Sequence, residues 1–315
     1  MKFTFRQLEV LVAIGKESSV SKAAEAMSLT QSATSMALAE LERQFGTQLF
    51  DRQGKRLQLN TLGREILPRA TELLDRAKEL EALLEGKTGA GAISIGATLT
   101  IGNYLATLLV GSYIHQNPDS QVNLSVQNTS TIIDQVAHFK LDIGLIEGDS
   151  HHPDLLITPW VDDELVVFSA TDHPLAQQKV IRVEDLANEK WILRESGSGT
   201  RQVFDAAMRH HLPHLNVLLE LEHTEAIKRA VESGLGIGCV SRLALKDAFN
   251  RGSLVPLEIQ GIDLKRQFNF VIHKQKFITS SITSFLALCR QATEGVSRSD
   301  QIVLRKPNGN PISYR

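Results

Sequence analysis

Cysteine is scarce: only Cys239 and Cys289 occur in 315 residues, each inside an apolar stretch. A disulfide framework is thereby excluded, and two buried free thiols in a reducing compartment are expected. No run approaches about 18 consecutive apolar residues, and the first residues, MKFTFRQLEV, lack the apolar centre of an export signal. A cytoplasmic protein without a membrane partner is the expectation. An excess of one charge is missing too, since 34 Lys and Arg face 36 Asp and Glu for a formal net of −2. No global positive field advertises a nucleic acid, so any such contact has to be local. Catalytic constellations are equally absent. Gly197-Ser198-Gly199 lacks the spacers of G-x-S-x-G, and no acid and histidine follow in the needed pattern. The glycines from Gly234 to Gly238 precede a strand and lack the last spacing of a dinucleotide fingerprint. His151, His152, His210, His211 and His214 have no Cys or acid at ligand spacing. Neither an enzyme nor a metal site is expected.

What is present begins at Ser19. The stretch SVSKAAEAMSLTQSATSMALAELERQFGTQLF, Ser19 to Phe50, reads as two short helices and a turn. Ser19 caps the first, with Ala23, Ala24 and Met27 on one face. Thr30 caps the second, which is expected to bury Ala33, Ala37, Leu38, Leu41 and Phe45 and to leave Gln31, Ser32 and Ser35 free. A small polar face at a helix N-terminus suits a major groove, although any helical hairpin with an alanine contact shows the same pattern. Ahead of it, Thr4 and Gln7 have capping-box spacing for a helix ending near Gly15. Behind it, DRQGKRLQL (Asp51 to Leu59) turns at Gly54 between strand-like pieces. Arg52, Lys55 and Arg56 crowd that turn, and a solvated hairpin or a phosphate-touching wing both fit. Residues 1–64 carry nine basic against six acidic side chains, a local net of +3.

Thr61 opens a helical run to about Glu85. Leu62, Ile66, Ala70, Leu73, Ala77, Leu80 and Leu84 form a heptad-like seam opposite a charged face, which points to packing on a second copy of the chain. Pro68 should kink or loosen this helix. The run from Gly86 to Ala92, GKTGAGA, reads as a hinge. Strands and helices then alternate, implying a parallel sheet covered by helices. Strands are expected at Ile93 to Ala97, Val122 to Gln127, Asp142 to Glu147, Leu155 to Trp160, Leu165 to Ser169, Trp191 to Arg194, Val217 to Leu221, Gly236 to Ser241 and Phe268 to His273. The polar tail, 292–315, is expected to be disordered.

The run from Ala23 to Arg64 closely resembles the winged helix-turn-helix of LysR-type transcriptional regulators, bacterial homo-oligomeric activators and repressors. The AA pair, QSA-x-S, the following LE and LFDR with a basic wing carry the match; Thr34 stands where that family usually has Val. Farther on, IGNY, DIGLIEG, DELVVF, WILRESGSGTR, TEAIK and GLGIGCVSR resemble the YeiE-like branch, related to regulators of sulfur metabolism. This resemblance implies a winged helix-turn-helix over 1–60, a dimerising linker helix and hinge over 61–90, and an effector domain over 91–291. That domain would resemble a periplasmic binding protein, an α/β fold with lobe I at about 91–162 and 268–291 and lobe II at about 163–267. Gln31, Ser32 and Ser35 would read base edges of a dyad-like operator, and Lys22, Arg52, Lys55 and Arg56 would hold phosphates. A dimer, more often a tetramer, is implied, with RNA polymerase as a further partner.

Ligand sites of parallel sheets lie at the carboxyl ends of strands, beside helix N-termini. Four loops there are rich in hydroxyl or amide groups: Thr98 with Thr100, Asn128 with Thr129, Ser196 to Arg201, and Thr224. Ser196, Ser198, Gly199, Thr200 and Arg201 suit a small anion best, because glycine exposes N–H groups and Arg201 adds a cation. Glu147 at the same rim counts against an anion, because it could repel one or bind a neutral or cationic group; Arg194 could instead be its structural partner. A small anionic effector is expected from these loops, a carboxylate or, as the resemblance to regulators of sulfur metabolism implies, a sulfur oxyanion, and no other cofactor.

Overall fold

The computed structural model describes residues 2–53, 56–85, 91–211 and 214–303. Its N-terminal unit is three helices and a hairpin. Helix α1 (Phe5–Glu17) starts at the Thr4–Gln7 capping box and runs past Gly15 to a left-handed Ser18. Helices α2 (Val20–Ala26) and α3 (Gln31–Phe45) are capped by Ser19 and Thr30, whose hydroxyls accept from the Lys22 and Ala33 N–H groups. The buried stripe of α3 is Thr34, Leu38 and Leu41, spaced by four and three. Ala33 and Phe45, expected inside, are exposed. Thr34 takes the core position because its hydroxyl is satisfied locally by the Thr30 carbonyl at 3.1 Å, which leaves its methyl to pack. Strands β1 (Phe50–Gln53) and β2 (Arg56–Leu59) pair antiparallel, Phe50 opposite Leu59 and Gln53 opposite Arg56.

Helix α4 (Thr61–Leu84) is uninterrupted through Pro68. It has two apolar faces. Gly63, Leu67, Ala70, Thr71 and Leu74 are buried, and the leucines and the alanine among them join the core of the N-terminal unit. Of the expected seam only Ala70 is buried; Leu62, Leu73, Leu80 and Leu84 are 38%, 45%, 59% and 80% exposed. The hinge residues 86–90 lie outside the described residues.

The remainder is one α/β domain whose two lobes share one crossing strand. Lobe I contains β3 (Ala92–Thr98), β4 (Gln121–Gln127) and β5 (Ile143–Glu147). Its helical residues are α5 (Leu99–Ile101), a π-helical turn at Gly102–Ala106, α6 (Thr107–Gln116) and α7 (Thr129–Ala137). Where two strands were expected, a single strand β6 (Leu155–Ala170) runs from one lobe into the other. Lobe II contains β7 (Ile181–Arg182), β8 (Lys190–Arg194), α8 (Gly199–Met208), β9 (Asn216–Leu221), α9 (Thr224–Glu232), β10 (Ile237–Ser241), α10 (Arg242–Arg251), β11 (Leu254–Leu257) and β12 (Ile259–Gln260). Strand β13 (Lys265–His273) returns antiparallel to the first half of β6, and α11 (Ser280–Ala292) closes lobe I. The strand order is β4-β3-β5-β13-β6 in lobe I and β6-β10-β8-β9 in lobe II, with β11 also on β6. The pairs β3–β4, β3–β5, β8–β9 and β8–β10 are parallel, so the loops after β3, β5 and β8 open at the carboxyl ends where the lobes meet.

The tail corrects the expectation of disorder as far as residue 303; residues 304–315 lie outside the described residues. Ile302 is buried in the lobe I core and Ser299 is fully buried. Lys246 Nζ donates to the Asp300 carbonyl at 2.7 Å, and Arg298 pairs with Glu164 at 2.9 Å. Two apolar residues in a polar stretch, buried Ile302 and partly buried Val296, are flanked by side chains that match charges on the domain, and together these hold it. Ending the chain at Thr293 is expected to lower the stability of the effector domain by roughly 2–3 kcal/mol from the lost Ile302 burial. An unchanged urea midpoint in that truncated protein would show that the segment adds nothing.

Candidate functional site

On α3, Gln31, Ser32 and Ser35 are all exposed, and Met36, 71% exposed, stands beside them. Met36 was missed from the sequence, where a methionine in a helical pattern reads as core; an exposed apolar group here can meet a thymine methyl. The Ser32 and Thr30 hydroxyls lie 3.1 Å apart at the helix start. Lys22 is exposed on α2. Arg52 and Arg56 occupy the facing strands of the hairpin, and Lys55 lies outside the described residues.

The second cluster lies where the lobes touch. Glu147, at the end of β5, is 1% exposed and ionised. Thr100 N–H donates to its Oε1 at 2.8 Å, and the Thr200 hydroxyl to its Oε2 at 3.0 Å. Arg266 on β13 completes the cage: its Nη1 donates to Glu147 Oε2 at 2.8 Å and to Thr200 Oγ1 at 2.9 Å. Burial pushes the Glu147 carboxyl up. The charges of Arg266 and Arg194, with hydrogen bonds from Thr100 and Thr98, more than reverse this and hold it at about 2. The Arg266 Nε also donates to Asp163 Oδ2 at 2.6 Å. Asp163 Oδ1 in turn accepts from the hydroxyls of Ser241, at 2.7 Å, and of Ser299. Thr98 donates to the Leu145 carbonyl at 3.4 Å.

Across the lobe boundary, the Gly199 N–H donates to Thr129 Oγ1 at 3.1 Å. A Cβ on Gly199 would stand 2.3 Å from the Glu147 carbonyl oxygen, so only glycine lets the start of α8 come this close. Asn128 uses Oδ1 to cap α7 and to accept from Ser130. Two buried polar atoms here have no partner: Ser198 Oγ and Arg266 Nη2.

The structure therefore brings Thr98, Thr100, Glu147, Gly199, Thr200 and Thr129 together and adds Arg266, which the sequence reading missed. It does not bring Arg201. Arg201 Nε is held by Asp205 at 2.8 Å, and its Nη1 by the Arg194 carbonyl at 2.9 Å and Glu220 at 3.5 Å. The i,i+4 carboxylate on its own helix outcompetes the cleft for that guanidinium. Arg194 is likewise not the ion-pair partner of Glu147, because Glu195 takes it at 2.8 Å. Ser196 is exposed, and Thr224 is buried at the start of α9. Beside it, the Tyr104 hydroxyl of lobe I donates to Glu225 of lobe II, which also pairs with Lys228 at 2.7 Å. Among the described residues no group of three or more His, Cys, Asp or Glu is arranged to hold a metal ion. Both cysteines are free and buried, and burial pushes the Cys239 thiol up to about 12.

Residues 5–64 match the bacterial regulatory helix-turn-helix protein of the lysR family, and residues 86–294 match the LysR substrate binding domain. The chain belongs to the LysR family. It is a DNA-binding transcriptional regulator with an effector-binding domain, not an enzyme. The HTH-type transcriptional regulator YeiE of Escherichia coli is 43% identical over 292 residues, covering 93% of this chain and 99% of its own. Among solved structures, the regulatory domain of CcmR from Synechocystis in complex with 2-PG is 30% identical. It covers 66% of this chain and 100% of its own, with a TM-score of 0.62. A full-length OxyR variant from Pseudomonas aeruginosa has the same fold, with a TM-score of 0.69 at 22% identity, covering 92% of this chain and 94% of its own. No helix among the described residues is long and apolar enough to cross a membrane.

Proposed function

We propose that this LysR regulator senses a small oxyanion, a sulfur oxyanion such as sulfite or a carboxylate, in the cleft between its lobes. The observation that carries the reading is the donor set of Thr100 N–H, Thr200 Oγ1 and Arg266, which already holds one carboxylate, that of Glu147. Ser198 Oγ and Arg266 Nη2 remain as unpaired buried donors for a second anion. Thr98, Asn128 and Thr129 contribute from lobe I and Ser196 from the rim. No cofactor beyond this effector is needed. Effector binding would shift the balance between lobe arrangements by its differential affinity for them.

In this reading the protein acts in the cytoplasm as a homo-oligomer, with RNA polymerase as a further partner. The exposed leucines of α4 support self-association, since Leu73, Leu80 and Leu84 would be covered by the same helix of a second copy. A two-fold dimer would place two α3 helices on half-sites about one helical turn, or a multiple of one, apart. Gln31, Ser32 and Ser35 would contact bases, and Lys22, Arg52, Lys55 and Arg56 phosphates.

Thermal denaturation against sulfite, sulfate, thiosulfate, phosphate and simple carboxylates tests the effector class. One anion is expected to raise the melting temperature saturably, with the rise lost in Thr200→Ala and Ser198→Ala but kept in Arg201→Ala. No rise with sulfite, thiosulfate or any carboxylate, or a rise with one of these that survives both cleft variants, would refute an anion in this cleft.

A further inference from the structure

A second set of cations meets where α1, α4 and lobe I join, around a cavity of about 140 Å³. Lys16 enters it from α1, Lys78 from α4, and Lys140, Lys276 and Ser281 from lobe I. The acids at this junction are already engaged. Asp75 and Asp142 both pair with Lys276, at 2.6 and 2.7 Å, and Asp142 also accepts from the Ser94 N–H at 2.7 Å. Glu79 accepts from the Ser280 N–H at the start of α11, at 2.7 Å. Lys140 leans on Glu17 at 3.7 Å. Among the described residues, Lys16 and Lys78 have no carboxylate within ion-pair distance. Ser281, 1% exposed, lines the same cavity with a hydroxyl that has no hydrogen-bond partner. A buried polar group left in this state is unfavourable unless something fills it.

We propose that this junction binds a tetrahedral oxyanion, phosphate or sulfate, held between the Lys16 ammonium and the Ser281 hydroxyl, with Lys78 at its rim. The geometry suits that class. An oxyanion presents acceptors in several directions, matching donors from three elements, whereas a cation would face more ammonium groups than free carboxylates. A cavity of about 140 Å³ has room for an anion of a few heavy atoms. Burial lowers the Lys16 ammonium pKa even with Asp142 and Asp75 nearby, so a further negative charge there would be welcome. The site differs from the cleft in position and residues. An anion in it would touch the DNA-binding unit, the linker helix and the effector domain at once, and would stiffen the joint among them.

Equilibrium dialysis of the full-length protein with labelled phosphate or labelled sulfate, at constant ionic strength in chloride, tests this. Each loss of a charge-assisted bond should weaken binding about tenfold or more, so Lys16→Gln and Ser281→Ala should each raise Kd by that factor. Thr200→Ala and Ser198→Ala should leave it within about twofold, since distant sites are nearly independent. The tighter of the two anions identifies the occupant. Failure of the wild type to bind either anion would overturn the proposal, as would a Kd unmoved by both junction variants. Binding abolished by the cleft variants alone would also overturn it, and would leave the cleft reading intact.

Discussion

Arg266→Met is expected to lower the stability of the effector domain by about 3–5 kcal/mol, the usual loss when one partner of a buried ion pair is removed. Arg266 is bonded to both Glu147 and Asp163, and the side chains of all three are 0–1% exposed. Without it two carboxylates remain buried, with only neutral donors and the charge of Arg194 nearby. The double variant Arg266→Met/Glu147→Gln should recover part of the loss, because one unpaired charge is gone. The pH dependence has a definite sign. In the wild type the Glu147 pKa is depressed to about 2, so its contribution is present above the unfolded value of 4.5 and is lost as pH falls toward 2. In the variant the same carboxyl is buried without its main counter-charge, so its pKa should rise above that value. Such a group stabilises below 4.5 and loses that contribution as pH rises through its folded pKa. The gap between the two proteins should therefore narrow from about pH 7 to about pH 4, in urea titrations followed by near-ultraviolet circular dichroism. A gap that is constant with pH, or absent, would mean that Glu147 does not depend on Arg266.

Much of this architecture was legible because it is written in local patterns. Thr4, Ser19 and Thr30 cap the helices that their spacing announced. The alternation of strands and helices holds from β3 to β5 and from β8 to α10, whereas β7, β11 and β12 were not expected. What local pattern could not supply is pairing between distant residues. Arg266 stands 119 residues from Glu147 and 103 from Asp163, and one arginine at the start of an apolar strand reads as a solvated end. The joining of Leu155–Trp160 with Leu165–Ser169 was hidden by Asp162, Asp163 and Glu164 between them, which suggest a loop. Asp163 is instead buried on Arg266, so the charges mark the crossing between lobes. Arg201 misled for the opposite reason, since a nearby carboxylate at i+4 was available and a distant cleft was inferred. Similarly, Phe45 continues the face of Thr34, Leu38 and Leu41, but it is the last residue of α3, at the Gly46 cap, where it stays half exposed beside Phe3.

Ser35→Glu should abolish specific DNA binding, weakening affinity for the operator about 100-fold or more at fixed salt, while the oligomer stays intact. Ser35 is exposed on α3 between Ser32 and Met36, so the change leaves no buried group unsatisfied, and folding stability should move by no more than about 0.5 kcal/mol. In a major groove the same carboxylate would face base acceptors and two rows of phosphates. A base contact is worth about 1–3 kcal/mol, and adding a negative charge near the backbone removes more. Self-association should be unaffected because the exposed α4 leucines, from Leu62 to Leu84, are separate from this face. Fluorescence anisotropy with an operator duplex and analytical ultracentrifugation of the same sample would check both halves. A retained footprint with an unchanged salt slope would mean that α3 does not enter the groove with this face. An intact DNA affinity with a broken oligomer would point instead to a coupling between α3 and α4 that the separation of their exposed surfaces argues against.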